Sequence, residues 1–231
     1  MPIIERSKFI LTFTNNVVDK AVRQISDWGT LGLDLPVSVN ISPQALISDT
    51  FFDNAKTQLA KYNVPPSKLT LEITETTSLS NYDHAAKALI ALADYGVGIS
   101  IDDFGTGYTS IRHLREFPAK ELKIDQLFVR ELSEGSRDHS IISGIVRLAK
   151  GIGAHTVAEG IEDAETLRIL VDLGCDIGQG YYLGYPTTAE KFCRSDNGEI
   201  LHFPKLDRAY PPASTVLRLQ KQEKTKSFDA A

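Results

Sequence analysis

Short strand-like runs alternate with amphipathic helical stretches along most of the chain, and this alternation restricts the fold most strongly. Apolar residues at helical spacing predict helices over Asn16–Trp28, Phe51–Tyr62, Tyr82–Tyr95, Thr109–Arg115, His139–Gly151 and Ala164–Leu173. The predicted strands are Leu35–Ile41, Leu69–Ile73, Val97–Ile101, Glu121–Ile124, His155–Ala158, Asp176–Gly178 and Tyr181–Leu183. Such β–α alternation favours parallel strands joined by right-handed crossovers.

Apolar and polar side chains alternate within each middle strand. Leu69, Leu71 and Ile73 share one face of their strand, and Thr70 and Glu72 share the other. An open sheet with helices on both faces would be apolar on both faces. A barrel with a polar interior and helices outside fits better, so we predict an α/β, TIM-barrel-like (β/α)8 fold, with an open doubly wound sheet as the rival.

The last polar residue of each strand carries a functional group. In a barrel of parallel strands these groups meet at the C-terminal mouth, where TIM-barrel active sites lie. Burying several carboxylates together costs several kcal/mol for each charge unless cations compensate. Carboxylate and carboxamide oxygens suit Mg²⁺ or Mn²⁺. The residues concerned are Asn40, Glu72, Asp102, Asp103, Lys123, Glu159 and Gln179.

This set predicts a two-metal site that activates a water for attack on a phosphodiester. The adjacent Asp102 and Asp103 are suited to bridging two metals, and Lys123 would stabilise developing negative charge. The two glycines in Phe104–Tyr108 permit a tight loop over a ligand.

Each of these residues also has a purely structural explanation. Asn40 could cap the helix that follows or hold a turn, and Asp102 or Asp103 could cap the next short helix. Glu72 and Glu75 could be solvated loop charges, and Lys123 could form an ion pair with a nearby carboxylate. Glu159 could lie at the start of a helix capped by Asp163, and Gln179 could hydrogen-bond backbone groups in a loop. All of these explanations would have to hold at the same place on successive strands, which favours the shared site.

Composition narrows the function further. The net charge of -5 disfavours a binder of polymeric nucleic acid. The two cysteines, Cys175 and Cys193, are too few for a disulfide framework. Neither a long apolar run nor a signal peptide is present, so we expect a cytoplasmic protein without a membrane segment. We expect one barrel domain over residues 1–206 and a polar tail over 207–231.

Several motifs strongly resemble EAL domains, in the order found in that family. They are VNISPQAL (Val39–Leu46), LEITET (Leu71–Thr76), IDDFGTGYTS (Ile101–Ser110), ELKIDQLFV (Glu121–Val129), VAEGIE (Val157–Glu162) and GQGYYLGYP (Gly178–Pro186), and the resemblance runs from about residue 15 to 195. It implies a TIM barrel that uses Mg²⁺ or Mn²⁺ to hydrolyse cyclic-di-GMP to 5′-pGpG. It also implies a homodimer.

The resemblance assigns roles to individual residues. It implies Asn40, Glu72, Asp102, Asp103 and Glu159 as metal ligands, and Lys123, Glu159 and Gln179 as catalytic residues. Glu75 would stabilise the loop after the aspartates. The implied substrate-binding residues are Gly105, Thr106, Gly107 and Pro186.

The sequence departs from the family pattern at its start. Family members begin with a strand bearing a Glu-Ala-Leu motif and then a helix, and no such tripeptide precedes Val39. The missing glutamate is a metal ligand in the family, and Glu5 is the only carboxylate upstream of the first predicted helix. We therefore expect a barrel without its first strand and helix, with open edges at the flanking strands and one weakened metal site.

Three functions remain open at this point. The first is an EAL-type phosphodiesterase, impaired by the missing glutamate. The second is a catalytically degenerate cyclic-di-GMP receptor or protein-interaction module. The third is a Schiff-base aldolase using Lys123, which is disfavoured because neighbouring carboxylates would keep this lysine protonated.

Overall fold

The computed structural model describes residues 9–48, 50–74, 82–106, 114, 117–192 and 216–218. The helices are α1 (Ile10–Thr30), α2 (Pro43–Leu46), α3 (Phe51–Lys61), α4 (Tyr82–Tyr95), α5 (Gln126–Val129), α6 (Arg137–Ile152), α7 (Ala164–Leu173) and α8 (Ala189–Phe192). The strands are β1 (Val37–Asn40), β2 (Leu69–Thr74), β3 (Gly98–Phe104), β4 (Glu121–Ile124), β5 (His155–Ala158), β6 (Ile177–Gln179) and β7 (Val216–Arg218).

The seven strands found among the described residues form one sheet in the order of the sequence. Strands β1 to β6 are parallel, and β7 pairs antiparallel with β6. The predicted parallel, TIM-barrel-like architecture is confirmed. A closed TIM barrel has eight parallel strands, and the part of the chain described here contributes six.

The two faces of the sheet differ as the alternation predicts. Outward-facing Leu69, Leu71 and Ile73 of β2 are buried in a single core with helix residues such as Val18 and Val22 of α1. The inward face carries mostly polar side chains. The hydrophobic effect therefore acts mainly between the sheet and its helices, and the polar interior is left for chemistry.

Sequence signals set the ends of the crossover helices. The Asp163 carboxylate accepts a hydrogen bond from the Thr166 N–H at 2.8 Å, which confirms the predicted cap of α7. Gly96 follows α4 with a positive φ of 105°, as expected of a residue that ends a helix. These caps fix where each helix begins and ends relative to the strand that follows it.

Two expectations need correction. Tyr181–Leu183 is a turn rather than a strand: the Leu183 N–H donates to the Gly180 carbonyl at 3.0 Å, and the Tyr182 N–H to the Ile161 carbonyl at 3.0 Å. Aromatic residues favour strands only where strand neighbours are present. In addition, α1 begins at Ile10 instead of Asn16.

Other expectations fall on residues outside the described ranges. These are Glu5, Cys193 and, apart from Leu114, the predicted helix over Thr109–Arg115. Within the predicted polar tail, the strand β7 is described and belongs to the sheet. None of the described helices combines the length and the apolar character needed to cross a membrane.

Candidate active site

The predicted site residues lie along one edge of the sheet. Asn40 ends β1, Gln179 ends β6, and Lys123 lies one residue before the end of β4. Glu159 follows β5, and its N–H donates to the Ile124 carbonyl at 3.1 Å, which extends the ladder by one step. The strand-end pattern in the sequence thus corresponds to a common location in the structure.

Lys123 is the centre of this site. Its Nζ lies 3.1 Å from Glu72 Oε2, 2.8 Å from Asp102 Oδ1 and 2.7 Å from Glu159 Oε1. Only 6% of the residue is exposed. Burial acts to lower the pKa of Lys123, but the Glu72 charge and the hydrogen bonds to Asp102 and Glu159 outweigh it and raise the pKa above its usual value. The lysine is therefore a fixed cation, which argues against a Schiff-base nucleophile.

A β-bulge brings the two aspartates to the same side of the sheet. Ile101 pairs with Leu122 and Phe104 with Ile124, so β3 carries one more residue than β4 between these pairs. Asp103 has a positive φ of 55°, which is unusual for a residue other than glycine. Because of this irregularity, carboxylate oxygens of Asp102, Asp103 and Glu159 all lie within 4.8 Å of one another.

This three-carboxylate group fits a hard divalent cation. Its donors are all oxygens, as Mg²⁺ and Mn²⁺ prefer. Burial raises the pKa of Glu159, and the charges of Asp102 and Glu72 raise it further although Lys123 opposes them. Burial likewise raises the pKa of Asp103, together with Asp125 and the charge of Asp102. A bound cation would offset both the burial of these carboxylates and the repulsion between them.

Asn40 and Gln179 occupy the two sides of the site. Asn40 is exposed and paired with Glu72 across the sheet, and it does not cap α2, because Ser42 does so. The Gln179 main-chain carbonyl accepts a hydrogen bond from the Ile161 N–H at 3.1 Å, a bond that does not involve the side chain, so both roles considered for the Gln179 amide stay predictions.

The loop after β3 is tied to the second aspartate. The Thr106 hydroxyl donates to the Asp103 carbonyl at 2.9 Å, and Gly105 has a positive φ of 101° beside the Phe128 ring. Both loop residues are exposed. Glu75 and Gly107, also predicted for the site, lie outside the described residues.

Asp125, which was not predicted as a site residue, is buried beside Asp103. Its carboxylate accepts a hydrogen bond from the Leu127 N–H at 2.7 Å and so caps α5. It also contributes to the raised pKa of Asp103. Its position directly after the end of β4 is the signal that could have identified it.

A second feature not anticipated is an aromatic cavity of about 360 Å³ lined by Glu162, Tyr181, Tyr182 and Tyr185. The rings of Tyr181 and Tyr185 are stacked with centroids 4.9 Å apart. The exposed Pro186, predicted to bind substrate, follows Tyr185 directly. Three exposed tyrosines within a short segment were the available signal.

Comparison with known proteins identifies the family. The family model described as EAL domain matches residues 1–186. The chain belongs to the EAL domain family. The family model matches from residue 1, whereas the resemblance in motifs starts at about residue 15.

This EAL domain is similar to several Pseudomonas aeruginosa proteins. It is 39% identical over 196 residues to the bifunctional diguanylate cyclase/cyclic di-GMP phosphodiesterase MucR, and 35% identical over 187 residues to the cyclic di-GMP phosphodiesterase RocR. These matches cover 84% and 78% of this chain but only 29% and 48% of the relatives. The chain therefore spans less than half the length of these curated relatives.

The solved structures agree with the fold. The PaMucR phosphodiesterase in complex with c-di-GMP has a TM-score of 0.77 and 39% sequence identity, covering 83% of this chain and 84% of that one. The Xanthomonas citri FimX EAL domain in complex with c-diGMP has a TM-score of 0.73 and 26% identity, covering 79% of this chain and 72% of that one.

Proposed function

We propose that this EAL domain is a metal-dependent phosphodiesterase that hydrolyses cyclic-di-GMP to 5′-pGpG. The observation that carries the proposal is the buried Lys123 among Glu72, Asp102 and Glu159, next to a three-carboxylate group suited to a divalent cation. Two relatives with similar sequences are named cyclic di-GMP phosphodiesterases, which supports the same reaction.

The oxygen ligands of the site would hold Mg²⁺ or Mn²⁺. We assign this role to Asn40, Glu72, Asp102, Asp103 and Glu159. When bound, the metal would act as a Lewis acid and lower the pKa of a water.

The catalytic residues of the chain have distinct tasks. Lys123 cannot move freely because three carboxylates hold it, so it presents a fixed positive charge where the phosphodiester gains negative charge. Glu159 uses one oxygen to hold this lysine and lies within reach of Asp102 and Asp103. Gln179, at the end of β6, offers an amide that can donate to and accept from the attacking water.

The aromatic cavity supports recognition of a purine. The stacked Tyr181 and Tyr185 provide flat apolar surfaces for a base, and Pro186 extends them. Gly105 and Thr106 belong to the loop after β3, and we assign them, together with Gly107, to the substrate as well. Together these groups suit a ligand with a charged phosphodiester and planar bases.

The aromatic cavity favours a second function. Glu162, Tyr181, Tyr182 and Tyr185 line it, so a nucleotide base can bind there through side chains other than the carboxylates assigned to the metal. The second candidate is therefore a catalytically degenerate cyclic-di-GMP receptor or protein-interaction module.

Incubation of the purified protein with cyclic-di-GMP and Mn²⁺ or Mg²⁺, followed by chromatography for pGpG, tests the proposal. We expect product in the wild type and a loss of at least about 100-fold in Glu72→Ala, because even indirect partners of a metal site cost 10–100-fold. Glu131→Ala, which removes an exposed carboxylate outside the site, serves as the matched control.

Calorimetry with the same nucleotide separates the two candidates. Binding of cyclic-di-GMP without formation of pGpG would contradict the phosphodiesterase and support the receptor. Neither binding nor product from folded protein would contradict both. The homodimer implied by the resemblance is a separate prediction, which light scattering during size-exclusion chromatography checks.

A further inference from the structure

A row of polar residues crosses the inward face of the sheet. Each residue of the row is the register partner of the row's residue on the next strand. Register partners on neighbouring parallel strands lie on the same face of the sheet. The row begins at the last residue of β1 and ends at the first residue of β5. Its members are Asn40, Glu72, Ser100, Glu121 and His155.

The row is exposed at its two ends and buried in the middle. Asn40 and His155 are exposed, whereas Glu72 and Glu121 are half-buried and Ser100 is fully buried. The row therefore passes beneath the Lys123 site, because Glu121 lies two positions before Lys123 on the same face of β4. None of Ser100, Glu121 and His155 has a part in the proposed reaction.

Ser100 is the residue in this row whose hydrogen bonding is incomplete. Its Oγ is buried and has no hydrogen-bond partner of good geometry among the described residues. The hydroxyl nevertheless lies close enough to the Glu121 carboxyl to lower its pKa. A buried hydroxyl without a partner is costly, so a native site of this kind ordinarily holds a bridging group.

Glu72 and Glu121 are the register partners of Ser100 on its two sides, one on each neighbouring strand. Burial raises the pKa of Glu121, and the charge of Glu72 raises it further, while His155, Ser100 and Lys123 act in the opposite direction. Two carboxyls that flank a buried hydroxyl supply several acceptors and too few donors. One water molecule between them would donate to both sides.

We propose that Glu121 is a positioning residue for Glu72, acting through the Ser100 hydroxyl and one internal water molecule held between the two carboxyls. The inference rests on the proposed function, in which Glu72 is a metal ligand. Glu72 Oε2 is held by Lys123 from the side. Support from Ser100 and Glu121 beneath it fixes the orientation in which Glu72 meets the metal, as outer partners do in other metal sites.

Calorimetric titration with Mn²⁺ tests this role without requiring turnover. We expect Glu121→Ala and Ser100→Ala to weaken Mn²⁺ binding by about 10-fold or more. Glu121→Gln keeps a hydrogen-bonding group of the same size and should restore the affinity to within about threefold. Ser38→Ala, on the inward face of β1 but outside the row, is the matched control and should bind Mn²⁺ like the wild type.

Unchanged Mn²⁺ affinity in both Glu121→Ala and Ser100→Ala would overturn the inference, as would equal losses in Glu121→Ala and Glu121→Gln. A wild type that binds no Mn²⁺ contradicts the proposed function, and urea unfolding in EDTA then decides the inference. In that experiment Glu72→Gln and Glu121→Ala are combined. If the two residues are coupled, the change in the unfolding equilibrium constant of the double variant should differ by at least about threefold from the product of the changes in the two single variants. If they are independent, the two values should agree.

Discussion

Lys123 places a positive charge among the carboxylates at the mouth of the barrel. Three carboxylates lie within hydrogen-bonding distance of its Nζ, and the residue is almost fully buried. A buried pair of this kind adds little net stability compared with an apolar pair, but removing one partner leaves uncompensated charge. The ion-pair role and the catalytic role considered for Lys123 are therefore compatible.

Replacing this lysine should destabilise the protein more at neutral pH than in mild acid. Lys123→Met is expected to lower the free energy of unfolding by about 3–5 kcal/mol near pH 7, because buried carboxylates lose their partner. Burial raises the pKa of Glu159, so its protonation at lower pH should reduce the loss. Urea unfolding at both pH values measures the effect, with the exposed Lys20→Met as control. A loss that does not depend on pH would contradict the electrostatic explanation.

Glu159 gives a second pH-dependent effect with a defined sign. Because folding raises its pKa, Glu159 favours the folded state below its unfolded pKa, and that contribution is lost as the pH rises through the folded value. Glu159→Gln removes this titration. In EDTA, the stability of E159Q relative to the wild type should therefore increase between about pH 4 and about pH 7. Thermal unfolding across this range would show a constant difference if the carboxyl did not titrate.

Most of the site residues could be predicted because strand ends coincide in a parallel barrel. Glu72, Asp102 and Lys123 each end or nearly end a strand, and period-two alternation places them on one face. Ser100 and Glu121 could not be found in this way, because their proximity depends on the register between strands. Asp103 shares the face of Asp102 only through the bulge, which spacing alone does not reveal.

The bulge in β3 and the turn after β6 are the two elements that shape the site. The turn depends on Gly180, where a Cβ would collide with the backbone N and O atoms of Ile161. This close approach joins the segment after β5, which carries Glu159, to the segment after β6. A shift of the backbone at Ile161 would move Glu159, and a shift at Gly180 would move Gln179.

A side chain at Gly180 should therefore destabilise the fold and the site together. Gly180→Ala is expected to lower the free energy of unfolding by about 1–3 kcal/mol or more, since overpacked atoms here are backbone. Gly144→Ala is the control: the Cβ meets nothing within 4 Å in α6, and helix propensity predicts a gain of up to about 1 kcal/mol. Chemical denaturation compares the two, and equal effects would contradict the contact.

Element bounds were predictable where local signals were strong. The helices α4 and α7 and the strands β4 and β5 have their predicted bounds, because glycines, caps and apolar spacing agree there. The Tyr181–Leu183 turn was predicted wrongly, because its conformation follows from contact with Ile161, far away in sequence. Long-range backbone approach of this kind leaves little trace in local spacing.

At the scale of the whole molecule, the sheet is characterised by its edges. Strand β1 is one edge of the described sheet, and β7 covers β6 on the other side, with Gln179 paired to Val216. The parallel order was predictable from β–α alternation. The pairing of β7 was not, since three residues in a polar segment carry no periodic signal.

Shortening the chain should expose the edge of β6. A chain ending at Leu206 loses β7, so the amides of Ile177–Gln179 should exchange with solvent at least about 10-fold faster, because paired strand amides open rarely. A chain ending at Gln220 retains β7 and is the control. Hydrogen exchange measured by mass spectrometry checks this, and equal protection in both chains would show that the tail beyond residue 206 is independent of the barrel.

The contrast between the two faces of the sheet has an evolutionary consequence. The apolar residues that hold the fold face the helices, while the groups assigned to chemistry face inward. Substitution of an inward carboxylate such as Glu159 removes a group assigned to chemistry without removing any residue of the apolar core. A lineage with this architecture can therefore lose catalysis during evolution and retain its fold. Receptors with the fold of their enzymatic ancestors can arise in this way.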